Sequence, residues 1–388
     1  MLRSRSRAPR GSRLVLAVLS LLVLLPGCLA FLPVFANATE RPTAPTARRT
    51  PADENPLANR PWGVYSGNAE MAWAPYAGAT GPERDQLARI ALAPKAKWFG
   101  DWIPDAEIGT KVQEYIASSL ASTGNDPETL VQMTIFRMQP WEHAACSRLP
   151  TAAESASYQT WIDRFVAAVG QTHVAIMMQP DGPFALCAPR KSTAYSEQLA
   201  IAVAKLESLP NASVYLEAGA ADWHRMKPAP AVQLLVDAGV AQARGFVLNV
   251  THYDSTKRQI RYGAKVVAEL EKLGITGKRF VVDTASNGRA FTGEKWRKAG
   301  KPGGRFDNAA ACTSPAQASC VTLGIPPTWR TDDPRWGLPA ARRQEAAQLV
   351  DAFVWAGRPW LRNATAPFDR ARALAMVATS PYAAVPFG

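Results

Sequence analysis

Apolar, strand-like runs alternate with stretches of helical spacing over most of the chain beyond residue 130. The strand-like runs are residues 131–138, 174–178, 213–216, 245–250 and 279–283. The helical patterns are residues 158–169, 195–209, 230–238, 260–273 and 342–353. Strands alternating with helices at this spacing predict βαβ units and a parallel sheet. About six to eight such units in about 330 residues favour a barrel-like α/β domain.

Polar side chains follow several of these strands at the point where each strand ends. They are Asp181, Glu217, Asn249 and Asp283. The carboxyl ends of parallel strands meet at one mouth of a barrel, where such folds carry their active sites, so we expect these side chains to converge. A partly buried Asp181 would hold a proton near neutral pH. Taken alone, residues 177–182 favour an aspartate that only begins a turn, and the rest of the chain changes that interpretation.

The N-terminal segment differs in composition from the rest. Five arginines precede a nearly continuous apolar run at residues 14–25, which predicts an export signal or an anchor over residues 1–35. Three alternatives stay open for this segment: cleavage and release, a helical membrane anchor, or lipid attachment at Leu25-Pro26-Gly27-Cys28, which resembles a bacterial lipoprotein box. Residues 36–55 are rich in Pro, Ala, Thr and Arg and are predicted to be a disordered linker, which leaves residues 56–388 as the folded domain. We therefore expect a secreted or cell-surface protein.

Charge and cysteine content narrow the function further. The net charge of +12 includes the five arginines of the N-terminal head, and no basic run is interleaved with aromatics, which argues against nucleic-acid binding. Beyond Cys28, four cysteines remain, an even number that predicts disulfides in an exported chain. The four histidines are scattered, so we expect no metal and no cofactor.

Twelve tryptophans are many for this length. Five of them lie near Gly, Asp, Pro or Arg rather than within apolar runs, and these are Trp98, Trp102, Trp223, Trp329 and Trp355. Indole rings stack on the apolar faces of sugars while carboxylates and amides bind the hydroxyls. The alternative is that the large rings fill a large core, and we expect about half of the twelve to do so.

Several segments, in order along the chain, resemble glycoside hydrolase family 6, the inverting β-1,4-glucanases and cellobiohydrolases. They are Asn55-Pro56-Leu57-Ala58, Ala96-Lys97-Trp98-Phe99-Gly100, Met178-Gln179-Pro180-Asp181, Val214-Tyr215-Leu216-Glu217-Ala218-Gly219, residues 243–250, residues 280–288 and residues 351–355. The resemblance implies a distorted barrel of about seven parallel strands with a substrate cleft across their C-terminal ends. It also implies that Asp181 is the general acid and that Trp98 stacks a sugar.

The chain departs from the family pattern at the residues that would assist the acid. The family has an Asp that tunes the acid in the segment matching residues 136–146, and here Glu142 and His143 are the nearest polar substitutes. Glu217 replaces an Asp. In the loop that carries the family's base, Asn363 stands where the carboxylate is expected. No clean base is therefore identified, and Asp283 or Glu217 acting through a relayed water remain candidates.

The resemblance also implies two disulfides, Cys146–Cys187 and, if Cys320 pairs at all, Cys312–Cys320. The expected substrate-binding residues are Trp98, Trp102, Phe136, Trp223, Asn249, Asn287, Trp329 and Trp355. The function expected is a monomeric, exported glycosidase that binds β-glucan and cleaves β-1,4 links with an altered base loop. The alternative is a glycan-binding protein on the same scaffold that has lost turnover.

Overall fold

Seven parallel strands form one sheet whose spatial order is their order along the chain. The computed structural model describes residues 54–385 and 387, so the predicted export segment and nearly all of the predicted linker lie outside the described residues. The strands are β1 (Lys97–Gly100), β2 (Val131–Phe136), β3 (Val174–Met178), β4 (Ala212–Glu217), β5 (Gly245–Leu248), β6 (Arg279–Asp283) and β7 (Val350–Val354). The predicted distorted α/β barrel is confirmed.

β1 and β7 are the two edges of the curled sheet. Just outside them, the Ala96 N–H donates to the carbonyl oxygen of Trp355 at 2.9 Å. Trp98 Nε1 donates to the Ala356 carbonyl oxygen at 2.5 Å. These two bonds join the edges at a seam, where β1 and the residues after β7 face each other.

The two faces of the strands form two separate apolar clusters. Side chains alternate across a strand, so Ala175 and Met177 of β3 point into the barrel while Ile176 and Met178 point outward. The outward cluster packs against the surrounding helices. The helices are α1 (Trp73–Gly78), α2 (Gly81–Ala91), α3 (Ile108–Ala121), α4 (Ala152–Val169), α5 (Ala194–Leu206), α6 (Ala229–Asp237), α7 (Thr256–Lys272), α8 (Gly293–Lys298), α9 (Ala340–Leu349) and α10 (Arg370–Thr379).

The helix α4 shows how local sequence sets an element's start. Thr151 precedes it, and its side chain accepts from the Glu154 N–H while the Glu154 carboxylate accepts from the Thr151 N–H. This capping box satisfies two of the backbone donors that a helix start leaves free. Trp161 and Phe165 follow at helical spacing and are fully buried, so the same helix covers the outer face of the sheet.

The helix predicted over residues 342–353 is wrong in its second part. α9 ends at Leu349, and residues 350–354 are strand β7. The register between β6 and β7 shifts at Asp351, which is the extra residue of a β-bulge. The bulge places Val350 and Phe353 on the same outer face although they are three residues apart. That spacing is the helical one, which explains the wrong prediction.

The bulge residue Asp351 is the centre of a buried polar network. Its Oδ2 accepts from Arg244 Nε and from Tyr215 Oη, both at 2.8 Å, and its Oδ1 accepts from Arg244 Nη2 at 3.0 Å. Its backbone oxygen accepts from Asn55 Nδ2 at 2.7 Å. Three parts of the chain distant in sequence are thereby tied to β7.

We expect Asp351→Ala to lower the free energy of unfolding by about 3–5 kcal/mol, because breaking a buried pair leaves its partner groups without compensation. Urea denaturation of the purified domain measures it. Glu269→Ala is the control, since it removes a carboxylate that pairs with Lys272 on the surface and should change stability little. Equal midpoints for wild type and Asp351→Ala would contradict the assignment.

Within residues 54–385 and 387, none of the helices combines the length and the apolar character needed to cross a membrane.

Candidate active site

Asp181 follows β3 by three residues and has a left-handed backbone, with φ at 63° and ψ at 24°. Gln179, just before it, is also left-handed and is buried. The Gln179 side-chain oxygen accepts from the backbone N–H of Arg137 at 3.2 Å and of Met138 at 3.3 Å, beyond the end of β2. Such a backbone costs energy in residues other than glycine, so these bonds to the neighbouring strand help to hold the turn that presents Asp181.

The surroundings of Asp181 favour its protonated form. Burial raises the pKa of the carboxyl group to about 7, and the negative charges of Glu142 and Asp307 act in the same direction. A hydrogen bond from Thr251 Oγ1 to Asp181 Oδ1, 2.8 Å long, and the nearby His252 lower the pKa in part. A carboxyl group that is half protonated near neutral pH can donate a proton to a leaving group.

Glu217 ends β4 and is buried next to the Asp181 turn. Its Oε2 accepts from the Gly182 N–H at 3.0 Å. A Cβ at residue 182 would come within 2.3 Å of the Glu217 carbonyl oxygen, so only glycine fits there. Burial raises the pKa of Glu217 well above its ordinary value, and the charge of Asp181 raises it further. Glu217 therefore helps to fix the position of the turn that carries Asp181.

Asp283 ends β6 and is also fully buried. Its Oδ2 accepts from the backbone N–H of Ala356 and of Gly357, both at 2.6 Å, and its Oδ1 accepts from the Ala285 N–H at 3.0 Å. Burial raises its pKa to about 7 against the effect of these hydrogen bonds. Asp283 ties the residues after β7 to β6, so it fixes the start of the loop that resembles the base loop.

Two adjoining cavities share four lining residues, Trp98, Trp102, Arg358 and Thr365. The first, called here the Asp181 cavity, encloses about 750 Å³ including the space open to solvent. Its lining also includes Phe136, Glu142, Asp181, Val250, Thr251, Tyr253, Ser286, Asp307, Gly357, Pro359, Asn363 and Ala364. A volume of this size, walled by rings and bearing a few convergent polar groups, is typical of a ligand site.

The second cavity, called here the Lys97 cavity, encloses about 830 Å³, again including the space open to solvent. Beyond the shared residues, it is lined by Ala69, Glu70, Met71, Ala96, Lys97, Leu361 and Ala366. Trp98 lies between the two cavities, and the Arg358 guanidinium carbon lies 4.1 Å from the centre of its ring. Trp102, about half exposed, lines both cavities. The shared residues make the two cavities one continuous cleft over the seam.

Glu142 and His143 begin a short 3-10 turn after β2. Glu142 is exposed and lines the Asp181 cavity. The His143 ring meets the edge of Phe184 at 5.1 Å between centroids and does not line either cavity among the described residues. Both cysteine pairs expected from the sequence, Cys146–Cys187 and Cys312–Cys320, are disulfides in the structure. The first one ties the Glu142 turn to the segment that follows Asp181.

Removing Cys146–Cys187 by a double Cys→Ser change should lower the free energy of unfolding by up to about 4 kcal/mol, because the bridge closes a long loop in the unfolded chain. Removing Cys312–Cys320, which spans 8 residues, should cost less, about 2.5 kcal/mol by the same loop-entropy argument. Urea unfolding of both variants under identical conditions tests the ranking. A larger loss for the shorter loop would refute it.

Asp307 is a site residue that the sequence did not suggest. It lines the Asp181 cavity from a 3-10 turn, Phe306–Asn308, that packs against the turn Arg362–Ala364 containing Asn363. Phe306 anchors this turn in a group of rings, at 5.1 Å from His252, 5.0 Å from Tyr253 and 5.2 Å from Trp296. The Phe306 carbonyl oxygen accepts from Tyr253 Oη at 2.8 Å. The packing of Phe306 therefore holds the next residue, Asp307, in place at the cavity.

His252 and Asp222 form a second pair close to Asp181. His252 Nδ1 lies 2.9 Å from Asp222 Oδ1, and the other Asp222 oxygen accepts from the Gly293 N–H at 2.8 Å. Trp223 stacks on His252 with centroids 5.0 Å apart and meets Phe184 edge-on at 5.4 Å. Trp223 thus packs beside the Asp181 turn within a row of rings rather than against either cavity.

Four other predicted binding residues line neither cavity among the described residues. Asn249 is fully buried and donates to the Asp283 carbonyl oxygen at 3.1 Å. Asn287 is buried and donates to the Asp254 carbonyl oxygen at 3.0 Å. Trp355 is buried beside Trp360. Trp329 lines a separate cavity with Arg330 and Trp336. Of the predicted aromatic set, Trp98, Trp102 and Phe136 are the members that line the cleft.

Groups of three or more His, Cys, Asp or Glu side chains that could hold a metal ion are not found within residues 54–385 and 387.

Comparison with known proteins gives a family match. The model of "Glycosyl hydrolases family 6" matches residues 63–359. The chain is 31% identical over 218 residues to Endoglucanase 1 of Streptomyces halstedii, which covers 55% of this chain and 65% of that protein. It is 27% identical over 307 residues to Endoglucanase A of Thermobispora bispora, and this match covers 76% of this chain and 57% of that protein. The chain thus matches about half to two thirds of the length of these curated relatives.

Solved structures give the same result for the fold. The endoglucanase Cel6 from Mycobacterium tuberculosis, in complex with a thio-cellobioside, is similar with a TM-score of 0.63 and 25% identity, covering 83% of this chain and 98% of that one. Cel6C of Coprinopsis cinerea, a glycoside hydrolase family 6 enzyme, is similar with a TM-score of 0.61 and 20% identity, and the match covers 86% of this chain and 100% of that one. At that identity the second comparison supports the fold alone.

Proposed function

The chain belongs to glycosyl hydrolase family 6, and from this premise we propose that it is an exported hydrolase that cleaves β-1,4-glucan links with inversion at the anomeric carbon. The observation that carries the proposal is Asp181, a carboxyl group whose pKa is raised to about 7 and which lines a cavity walled by Trp98, Trp102 and Phe136. The relatives named endoglucanases support the substrate class.

In the proposed reaction Asp181 is the general acid. It gives its proton to the glycosidic oxygen as the bond to the anomeric carbon breaks, and the departing sugar leaves as an alcohol. Asp181 is then ionised, and the hydrogen bond from Thr251 stabilises that form. Glu217 and Gly182 position the turn that carries it.

Inversion also needs a carboxylate on the opposite face of the sugar, about 6.5–9.5 Å from the acid, to take a proton from the attacking water. The candidates from the sequence, Glu217 and Asp283, are buried and hold backbone N–H groups, which argues for positioning roles. Glu142 and Asp307 are the other carboxylates in the lining of the Asp181 cavity.

Of these two carboxylates, Asp307 is the better candidate for the catalytic base because of its position in the fold. Glu142 follows β2, next to the strand that precedes Asp181, and a disulfide ties its turn to the Asp181 segment. Asp307 follows β6, three strands away, and its turn packs against the turn of Asn363. Asn363 stands where the family's base loop carries its carboxylate. Asp307 thus removes the proton from water, while the Asn363 amide helps to orient that water.

Action outside the cell is part of the proposal. Two disulfides within the described domain favour an oxidising compartment, because cytosolic thiols are kept reduced. The basic head and apolar run of residues 1–35 support the same conclusion.

The test is hydrolysis of cellohexaose and of a β-1,3-linked control, with the products followed by NMR. We expect cleavage of the β-1,4 substrate and first appearance of the α-anomer. A first-formed β-anomer would refute inversion. Binding of cellohexaose without any release of shorter sugars would refute hydrolysis and favour a glycan-binding protein.

A further inference from the structure

Two positively charged side chains line the Lys97 cavity without a carboxylate partner. Arg358 is largely buried over the Trp98 ring, and its Nε is a buried atom without a hydrogen-bond partner. Lys97 Nζ donates to the Ala69 carbonyl oxygen at 3.1 Å. Within the part of the chain that the structure describes, no Asp or Glu oxygen lies within 4.0 Å of either cationic group, the limit for an ion pair.

The carboxylate nearest to them is already engaged. Glu70 lines the same cavity, but its Oε2 lies 3.7 Å from Lys95 Nζ and its Oε1 accepts from the Ala72 N–H at 3.1 Å. Burial lowers the pKa of Arg358 to about 10. Burial also lowers the pKa of Lys97, and the charge of Glu70 opposes both shifts. Arg358 therefore stays charged at neutral pH, so this end of the cleft keeps an excess of positive charge.

A neutral glucan would leave that charge uncompensated. Hydroxyl groups can accept hydrogen bonds from Arg358, but a buried charge is stabilised chiefly by an opposite one. The guanidinium plane matches a carboxylate, which can accept two parallel hydrogen bonds from it. The Asp181 cavity carries more negative charge, since Glu142, Asp181 and Asp307 line it together with the shared Arg358. An acidic sugar is therefore disfavoured there and favoured beside Lys97.

We propose that the sugar bound in the Lys97 cavity carries a carboxylate, and that the preferred substrate is a β-1,4-linked glycan containing uronic acid. This inference rests on the proposed function and narrows its substrate class. It assigns Arg358 the recognition of the carboxylate, with Lys97 adding charge on the same cavity wall.

The experiment compares cello-oligosaccharides with the same oligosaccharides oxidised to carboxylates at C6. We expect kcat/KM to be about 10–100-fold higher for the oxidised series, which is the range of a hydrogen bond to a charged group. The increase should come from a lower KM. Raising the salt from 0.05 to about 0.5 M should reduce that gain, because ions screen charge pairs that are open to solvent. A C6-sulfated series forms a separate arm.

Arg358→Gln and Lys97→Gln should each reduce the preference for the oxidised series. Arg335→Gln is the matched control, because Arg335 also lies over a tryptophan, Trp336, at 5.3 Å, but lines neither cavity in the described residues. The control should keep the preference of the wild type. Because two different variants and the salt series of the wild type are measured, poor folding of one variant does not decide the result.

Each outcome has a distinct meaning. Cleavage of the neutral series with no preference for the oxidised one overturns the inference and leaves the proposed function standing. Equal preference for the sulfated series overturns the assignment to a carboxylate. If no series is cleaved, the proposed function fails, and tight, salt-sensitive binding of the oxidised series that Arg358→Gln abolishes would still support the carboxylate site. Salt-insensitive binding would overturn it.

Discussion

Asp181→Asn lowers kcat/KM on cellohexaose by about 10²–10⁴-fold, the usual contribution of a general acid. Asparagine keeps the size of the side chain but cannot supply the proton. The wild type should also lose activity as the pH rises through about 7, where Asp181 ionises. That decline should be absent from the residual activity of the variant. Initial rates between pH 4 and 9 measure both effects.

The control for this prediction is a substrate that needs no proton on its leaving group, such as a dinitrophenyl β-cellobioside. Asp181→Asn should cleave it at close to the wild-type rate, because a weakly basic leaving group departs unaided. Thr251→Val is a second comparison. Losing its hydrogen bond should raise the pKa of Asp181, since that bond lowers it, and should move the decline to higher pH. Equal losses on both substrates would contradict the role of acid.

Asp181→Asn should increase the stability of the fold at high pH although it lowers activity. The pKa of Asp181 is about 7 in the folded protein, against the 3.8 of an ordinary aspartate, so at intermediate pH the folded form holds a proton that the unfolded chain releases. Stability from this group is therefore lost as the pH rises from about 4 to about 7. At pH 8 the asparagine variant should unfold at a higher urea concentration than the wild type, and the difference should shrink towards pH 4.

Asp307→Ala is expected to lower kcat/KM by about 10²–10⁴-fold, because it removes the carboxylate that takes the proton from water. Sodium azide should restore turnover, since azide attacks the anomeric carbon without losing a proton. The product would be the α-glycosyl azide, with inversion preserved. Rates with and without azide, together with NMR of the product, distinguish a lost base from a misfolded cleft.

Glu142→Gln is the matched control for Asp307→Ala. Both changes remove a negative charge that raises the pKa of Asp181, so both should move the high-pH decline of activity to lower pH. Glu142→Gln should retain most activity below that decline and should not form the azide. If it instead shows the large loss and the azide product, Glu142 is the base and the assignment of Asp307 is wrong.

The positions of β2 to β6, and the polar residues at the ends of β3 to β6, could be predicted from the sequence because each depends on local pattern, whereas β1 and β7 were not predicted as strands. β3 and β6 were predicted at their observed bounds, since short β-branched runs end there in polar residues. Asp181 could be singled out for the same reason. The predicted role of Asn249, by contrast, depended on which way a strand-end side chain points, and its amide is fully buried against Asp283.

Asp307 and Arg358 could not be found in this way because their positions depend on loops meeting in space. Asp307 follows a glycine-rich stretch with no periodic pattern, and it reaches the cleft because Phe306 packs among rings from other parts of the chain. Arg358 acquires its role because Trp98, some 260 residues earlier in the chain, lies across the seam. The bulge at Asp351 misled the helix prediction because it imitates helical spacing.

The seam between β1 and β7 has a consequence for how the cleft can adapt. A sheet closed by a full ladder fixes the separation of its strands, whereas here Ala96 and Trp98 hold the two edges through hydrogen bonds to Trp355 and Ala356. We therefore expect the floor of the cleft to adjust at this one junction, while the paired strands under Asp181 keep their separation. Ligands of different girth would then be accommodated with little movement of Asp181.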